Sequence, residues 1–392
     1  MISPQVPINS APFSLGRRAG DEASMQEMKK QAIVIASILK PVDDTRMFEK
    51  MGRSLAATGQ WQVHIIGFGV SAPLGETEMT FHSLGMFSRI SLRRLLAPIK
   101  VLRKLIQVKP NAVIVNTHEL LCVASVYKIF SGASIFYDIR ENYSWNIRST
   151  NAFPMGIRLL VSLYVRLVEW MTSPFIKHYF LAEKNYEAEL PFIGKKFSVI
   201  ENKCKLPDSY KRSPTLQGIQ LLFTGTLHES TGVFEAMELV KKLNRSNPQV
   251  SLKIIGHCAV QITRRKIAEA VAGQSFITVV GLDQLVPHDQ IFKEISEATA
   301  GIIYYHDSPH VKDRIPTKLY EYLTCRLPIL YDEKAVWSSL VSDSTAGIAI
   351  DLHNPNTDQI IQTLLGGKFY TRDPIGTSWE SEEQRFLEKL NT

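Results

Sequence analysis

Short apolar runs recur along the chain, each followed by a longer stretch with helical spacing. QAIVIAS (31–37) leads to TRMFEKMGRSLAATG and then to WQVHIIGFG (61–69). NAVIVNTH (111–118), ELLCVASVYKIFSG, ASIFYDIR (133–140), KHYFLAE (177–183) and FSVIENK (197–203) continue the pattern. Runs this short and apolar suit strands of a parallel sheet, whose two faces are both covered by the connecting helices. A polar, proline-bearing segment, NKCKLPDSYKRSPTLQG (202–218), interrupts the series. The same grammar then restarts with IQLLFTG, GVFEAMELVKKLNRS and VSLKIIGHC (250–258). FITVVG (276–281), AGIIYY (300–305), LPILYD (327–332) and GIAIDL (347–352) follow. Two such series predict an α/β chain of two doubly wound domains facing a cleft, because these sheets bind ligands beyond the carboxyl ends of their strands. Its 392 residues also exceed one ordinary core. The expected units are a flexible N-terminal tail (1–30), a first domain (31–205), a second domain (206–372), and a detached helix (373–392) packing back toward the first.

Composition excludes several classes. The four cysteines (Cys122, Cys204, Cys258, Cys325) are scattered, which argues for a reducing compartment and against a zinc site or disulfide framework. Residues 1–30 lack the continuous apolar core of a secretory signal. The most apolar long segment, GIRLLVSLYVRLVEWMTSPFIKHYF from Gly156, is interrupted by Arg158, Arg166 and Glu169, so it reads as an amphipathic or buried helix rather than a membrane span. Net charge is +7, and residues 79–118 carry seven Lys or Arg with no Asp or Glu. On a helix, Leu92, Leu95, Leu96, Ile99, Leu102 and Ile106 share one side while Arg93, Lys100 and Lys104 share the other, with Pro98 splitting the segment. Two readings fit: a solvated outer face, or a patch on an anionic lipid surface, where each charge gains about 1 kcal/mol. No aromatic stacking pattern accompanies the charge, so no nucleic-acid partner is expected.

Two stretches carry chemistry. In FTGTLHESTGVFEA, Gly225 and Gly232 bracket a polar loop between strand and helix, which lets backbone N–H groups approach a phosphate. It is neither GxGxxG nor a P-loop. In DRIPTKLYEYLTCRLPIL (313–330), Pro316 starts a helix that places Lys318 and Glu321 in its first turns, at the strand rim where ligands bind.

RIPTKLYEYLTCRLPIL resembles the signature helix of retaining, nucleotide-sugar-dependent glycosyltransferases of the two-domain GT-B fold (group 1, family-four-like). LLFTGTLHESTGVFEAMELV, KHYFLAEKNYEAEL, FSVIENK, AVIVNTHELL and SIFYDIREN extend the resemblance over about residues 31–391. It implies two Rossmann-like domains, an acceptor-binding one and a nucleotide-sugar-binding one. It places Glu321 on the donor's ribose, Asp313 near the transferred sugar, and Lys318 and Arg314 on the diphosphate, with Thr317 at the helix start. His118 falls beside sugar and acceptor, Asp138, Arg140 and Glu141 face the same cleft, and Gly281 and Leu282 lie near the base. Thr226 and Thr231 stand where the family's phosphate turn carries cations, so diphosphate neutralisation falls on Lys318, Arg314 or Arg46. Without a DxD motif no metal and no cofactor is expected. The implied activity is sugar transfer from a nucleoside-diphosphate-sugar donor to a hydroxyl acceptor; charge alone, in the basic stretch 89–109, suggests a glycan or lipid-linked acceptor as in surface-polysaccharide or cell-envelope synthesis. The implied location is cytoplasmic, peripheral at the inner face of the membrane, with Arg93, Lys100 and Lys104 toward an anionic surface. A nucleotide-sugar epimerase of the same fold and a non-catalytic nucleotide- or partner-binding member are the alternatives.

Overall fold

In the computed structural model the described residues are 30–69, 73, 75–87, 91–149, 153–214, 218–306, 314–333 and 335–391. The expected tail at 1–29, and Arg89 of the basic stretch, lie outside them. The first domain is a seven-stranded sheet built from β1 (Gln31–Pro41), β2 (Trp61–Phe68), β3 (Met79–Ser83), β4 (Ala112–Val115), β5 (Ser134–Ile139), β6 (Ile176–Leu181) and β7 (Phe197–Val199). The second is six-stranded: β8 (Ile219–Thr226), β9 (Val250–His257), β10 (Ile277–Leu282), β11 (Ala300–Ile303), β12 (Ile329–Tyr331) and β13 (Gly347–Ala349). Strand orders are β3-β2-β1-β4-β5-β6-β7 and β10-β9-β8-β11-β12-β13. Neighbouring strands run parallel in both sheets.

Alternation along each strand divides its side chains between two cores. Val34 and Ala36 of β1 join one cluster with Val113 and Tyr137, while Ile33 and Ile35 join the opposite one with Ile114 and Phe136. Leu221 and Phe223 of β8 likewise face one way and Leu222 the other. Burial on both faces explains why the strands read as continuous apolar runs. Strand order reverses between β1 and β4 in the first sheet and between β8 and β11 in the second. These switch points open crevices at the strands' carboxyl ends.

The helix Leu92–Val108 differs from expectation. Ala97, Val101 and Leu105 face the sheet, and Leu95, Leu96, Ile99 and Ile106 point outward beside Arg93 and Lys100. The stripe Ala97, Val101 and Leu105, at four-residue spacing, is the one that joins the core against the sheet. The helix also continues through Pro98 instead of splitting there, although proline supplies no N–H for the carbonyl of Arg94. Among the described residues no helix is long and apolar enough to cross a membrane.

The final helix, Glu380–Asn391, packs against the first domain. Trp379, Phe386 and Leu390 join Met51, Leu55, Trp61 and Phe180 in one buried cluster. The Trp379 indole N–H donates to Ser54 Oγ at 2.8 Å. Replacing Phe386 by Ala empties a fully buried site and should cost ~3–5 kcal/mol. A urea-unfolding midpoint equal to that of the unaltered chain would contradict this packing.

Candidate active site

Between the carboxyl ends of the two sheets lies a cleft of about 650 Å³. Its first-domain wall begins at the turn after β1. Asp44 caps the following helix, accepting from the N–H groups of Arg46 (3.1 Å) and Met47 (3.0 Å). Burial pushes the Asp44 carboxyl up, but Arg140, 2.7 Å away, outweighs it and holds it at about 2. The helix Thr45–Gly52 is wound with π-type spacing, a geometry found often at functional sites because it re-aims side chains. It buries Arg46 and Lys50 fully.

Arg46 grips Asp138 of β5 through Nε (3.0 Å to both carboxylate oxygens) and Nη2 (2.7 Å), and Asn116 Nδ2 adds a 2.5 Å bond. Asp138 is wholly buried. Its expected place on the reacting surface is therefore corrected: with both oxygens engaged and no exposure, it anchors Arg46 instead. Arg46 keeps one buried nitrogen, Nη1, without a hydrogen-bond partner, and the residue lines the cleft. Arg46, named from the sequence among the candidate diphosphate cations, is among the residues that line the cleft.

Cationic side chains converge on the cleft from both domains: Lys40, Arg46, Arg140, Lys184 and Arg314. Opposite them stands the helix Thr317–Thr324, entered from Pro316 in extended conformation, with Thr317 on the cleft wall. The Leu319 N–H donates back to Pro316 O (2.9 Å), and the helix start presents the positive end of the helix dipole. Thr226 and Thr231 of the β8 turn also line the cleft. Gly232 makes that turn possible: at φ +80, a Cβ there would sit 2.4 Å from the Tyr304 ring. Gly225 adopts φ +103, a region open to glycine.

Carboxylates interleave with these cations. Glu141 lines the cleft and accepts from Asn146 Nδ2 at 3.1 Å. Glu183, at the end of KHYFLAE and not singled out by the sequence, lies 3.2 Å from Arg314 Nε. Burial raises its carboxyl to about 7, with Arg314 opposing. The spacing of β6 and its following turn places Glu183 here, but no local motif marks it.

Lys318 and Glu321 are nearly buried and do not line the cleft among the described residues. The Lys318 ammonium rests 3.9 Å from the Phe223 ring centre and 4.9 Å from that of Tyr305, itself a cleft residue. Burial lowers it to about 7, with Glu321 opposing. Glu321 Oε1 lies 3.2 Å from His288 Nε2, and His288 Nδ1 lies 2.8 Å from Glu49 Oε2. Burial alone would favour neutral imidazole; the hydrogen bonds and charges of Glu321 and Glu49 overcome it and raise His288 to about 10. A second bridge runs from Lys50 Nζ to Asn202 Oδ1 (2.8 Å) and from Asn202 Nδ2 to Thr317 Oγ1 (3.0 Å). The residue expected on the ribose is thus engaged, in this conformation, in a clasp between the domains.

The remaining expected residues fall in other places. His118 is buried against Tyr143, ring centres 5.1 Å apart, with Nδ1 3.4 Å from Glu119 Oε2; burial lowers its pKa despite Glu119. It does not reach the cleft lining. Gly281 (φ +91) and Leu282 (φ +52) end the edge strand β10, away from that lining. Arg93, Lys100 and Lys104 sit on the helix Leu92–Val108, outside the cleft. Asp313 lies outside the described residues.

No protein-family model matches the chain, and no curated protein matches its sequence. Solved structures do resemble it. Sucrose-phosphate synthase from Thermosynechococcus elongatus superposes with a TM-score of 0.64 at 13% identity, covering 92% of this chain and 98% of that one. HepE from Anabaena, in complex with UDP and glucose, gives 0.61 at 14%, covering 92% and 100%. A UDP-N-acetylglucosamine 2-epimerase gives 0.56 at 10%, covering 92% and 95%. The chain therefore has the two-domain, Rossmann-like GT-B fold.

The clasp has a pH signature. A histidine raised from 6.5 to about 10 on folding contributes stability that is complete below about pH 6.5 and lost as pH rises through about 10. His288→Gln should destabilise the chain by ~3 kcal/mol at pH 6, and the deficit should shrink toward pH 10. Urea unfolding across this range checks it; a deficit independent of pH would count against the clasp.

Proposed function

We propose that the chain transfers a sugar from a nucleoside-diphosphate-sugar donor to a hydroxyl acceptor, with retention of anomeric configuration. The observation carrying this reading is the convergence of cations from both domains on the cleft, facing a helix N-terminus. As the bond from the anomeric carbon to the diphosphate oxygen breaks, roughly two negative charges collect on the leaving group and need fixed positive partners. Arg314, the free Nη1 of Arg46 and the N–H groups at Thr317 supply them, replacing the cations that the Thr226–Thr231 turn lacks. The acceptor oxygen bonds the anomeric carbon on the face the diphosphate leaves, and its proton passes to a diphosphate oxygen. No protein nucleophile and no metal is required by this scheme.

Glu321 takes the ribose hydroxyls once the donor displaces or shares His288. Glu141 and Asp313, adjacent in sequence to Arg314, serve the sugar side, and Glu183 offers a hydrogen-bonding carboxyl to the sugar or acceptor. The acceptor is a glycan or a lipid-linked glycan at an anionic membrane, within surface-polysaccharide or cell-envelope synthesis. The similarity to a 2-epimerase favours one rival, isomerisation of the donor sugar itself.

A thermal-shift screen over UDP, GDP, ADP and dTDP compounds should reveal one stabilising base, since a ligand bound only to the native state raises its melting temperature. By calorimetry, Arg314→Gln should weaken that nucleotide about tenfold or more, as expected for a lost charge-assisted hydrogen bond, and Glu321→Ala should abolish or strongly weaken it. Unchanged affinity in both variants would sink the site assignment. Incubation with donor alone separates the rivals, because an isomerised sugar marks the epimerase.

A further inference from the structure

The helix Met155–Thr172 is built inside out. Its buried side carries Ser162, Glu169 and Thr172. Ser162 Oγ meets Ser144 Oγ (2.9 Å) and Arg148 Nε (2.6 Å), and Glu169 accepts from the Tyr137 hydroxyl (3.2 Å) and Arg166 (3.1 Å). Its outward side carries no charge at all: Leu160, Leu163, Leu167 and Trp170 form its centre, each about half exposed or more. A helix facing water shows the reverse arrangement.

The apolar surface continues onto neighbouring elements. The helix Leu121–Ser131 packs alongside and adds Ile129 and Phe130, the latter 86% exposed. Next to it lies the helix Leu92–Val108, where outward leucines mingle with Arg93, Lys100 and Arg103. Most of the exposed large hydrophobic residues among those described belong to these three helices. Contiguous apolar patches of this kind mark interaction surfaces.

We propose that this face of the first domain lies in the headgroup region of an anionic lipid monolayer, with the helices Met155–Thr172 and Leu121–Ser131 submerged along their outer sides and the helix Leu92–Val108 resting its cations on the headgroups. Charge selects this occupant. On this face the helix Leu92–Val108 exposes Arg93, Lys100 and Arg103, which complement anionic lipid and gain about 1 kcal/mol per charge there. A second copy docking by the same patch would bring the exposed cations of two helices Leu92–Val108 into one interface, at a cost. Lying flat with its apolar side immersed is the behaviour of an interfacial helix, and at 18 residues with internal charges it does not span.

The placement deepens the proposed transfer reaction and rests on it for its meaning. The middle of the helix, at Ser162 and Val165, packs on the helix Tyr143–Ser149, whose Asn146 lines the cleft. An acceptor held by its lipid tail in the monolayer would meet the cleft mouth without leaving the membrane.

The test floats the full chain with phosphatidylcholine vesicles and with mixed phosphatidylcholine–phosphatidylglycerol vesicles. Binding is expected to the mixed vesicles, with a blue shift of tryptophan emission and quenching by brominated lipid, since Trp170 and Trp145 are exposed. The double variant Leu160→Glu, Leu163→Glu should lose at least tenfold in vesicle affinity while keeping its melting temperature and its nucleotide thermal shift. Arg93→Gln, Lys100→Gln and Arg103→Gln should each weaken it about fivefold, the equivalent of 1 kcal/mol. Absence of flotation, equal binding to neutral vesicles, full binding by the double variant, or a dimer in solution abolished by that variant would each overturn the proposal. Because nucleotide shift and flotation are read separately, a chain that binds nucleotide but not vesicles overturns this surface alone, and the converse overturns the proposed reaction alone.

Discussion

An imidazolium held between two carboxylates fixes how the two halves of this protein meet. Glu49 comes from the first domain, and His288 and Glu321 come from two helices of the second. All three are largely out of water, so removing any one leaves an uncompensated charge, a loss of the order of 3–5 kcal/mol. The cleft's width follows from this contact, because the helix that supplies Glu49 also supplies Arg46 to the cleft floor, and the helix that supplies Glu321 also presents Thr317. Closure of the domains and geometry of the site are thereby one problem. A donor that claims Glu321 must compete with His288, so occupancy of the cleft and strength of the clasp are coupled.

The cleft solves a charge problem by distribution. A phosphate turn with its own cations would concentrate positive charge on one loop; here Thr226 and Thr231 occupy that loop, and arginines and lysines arrive from β1, β5 and the region before the Thr317 helix. Arg46 shows how such a charge is tolerated when empty. Asp138, itself held by Asn116, neutralises and orients it, leaving one buried nitrogen without a hydrogen-bond partner. The buried carboxylate supports the cation.

Architecture was legible because both faces of each sheet are buried, which makes strands short apolar words such as AVIV and IVIAS. The exception is β3, MTFHS, an edge strand whose mixed exposure erases the pattern. Arg314 and Thr317, carried by one contiguous stretch, could be expected at the strand rim, and they do line the cleft. The clasp was not: Glu49 and His288 are 239 residues apart, and a lone histidine after a proline carries no motif. Asp138 was misplaced because strand alternation says which face a side chain takes, not whether an arginine from another element will cover it. The helix Leu92–Val108 misled by composition, since the stripe that joins the core against the sheet is Ala97, Val101 and Leu105.

The return of the last helix to the first domain makes the chain cross between domains twice. The two crossings run side by side: Cys204 N–H donates to Thr377 O (3.2 Å), and Trp379 N–H donates to Cys204 O (2.6 Å). A single connecting strand would act as a universal joint, free to swivel. Two segments joined by this bridge resist twisting of one domain against the other more than a single connection would. That constraint keeps the cations of one wall facing the helix terminus of the other.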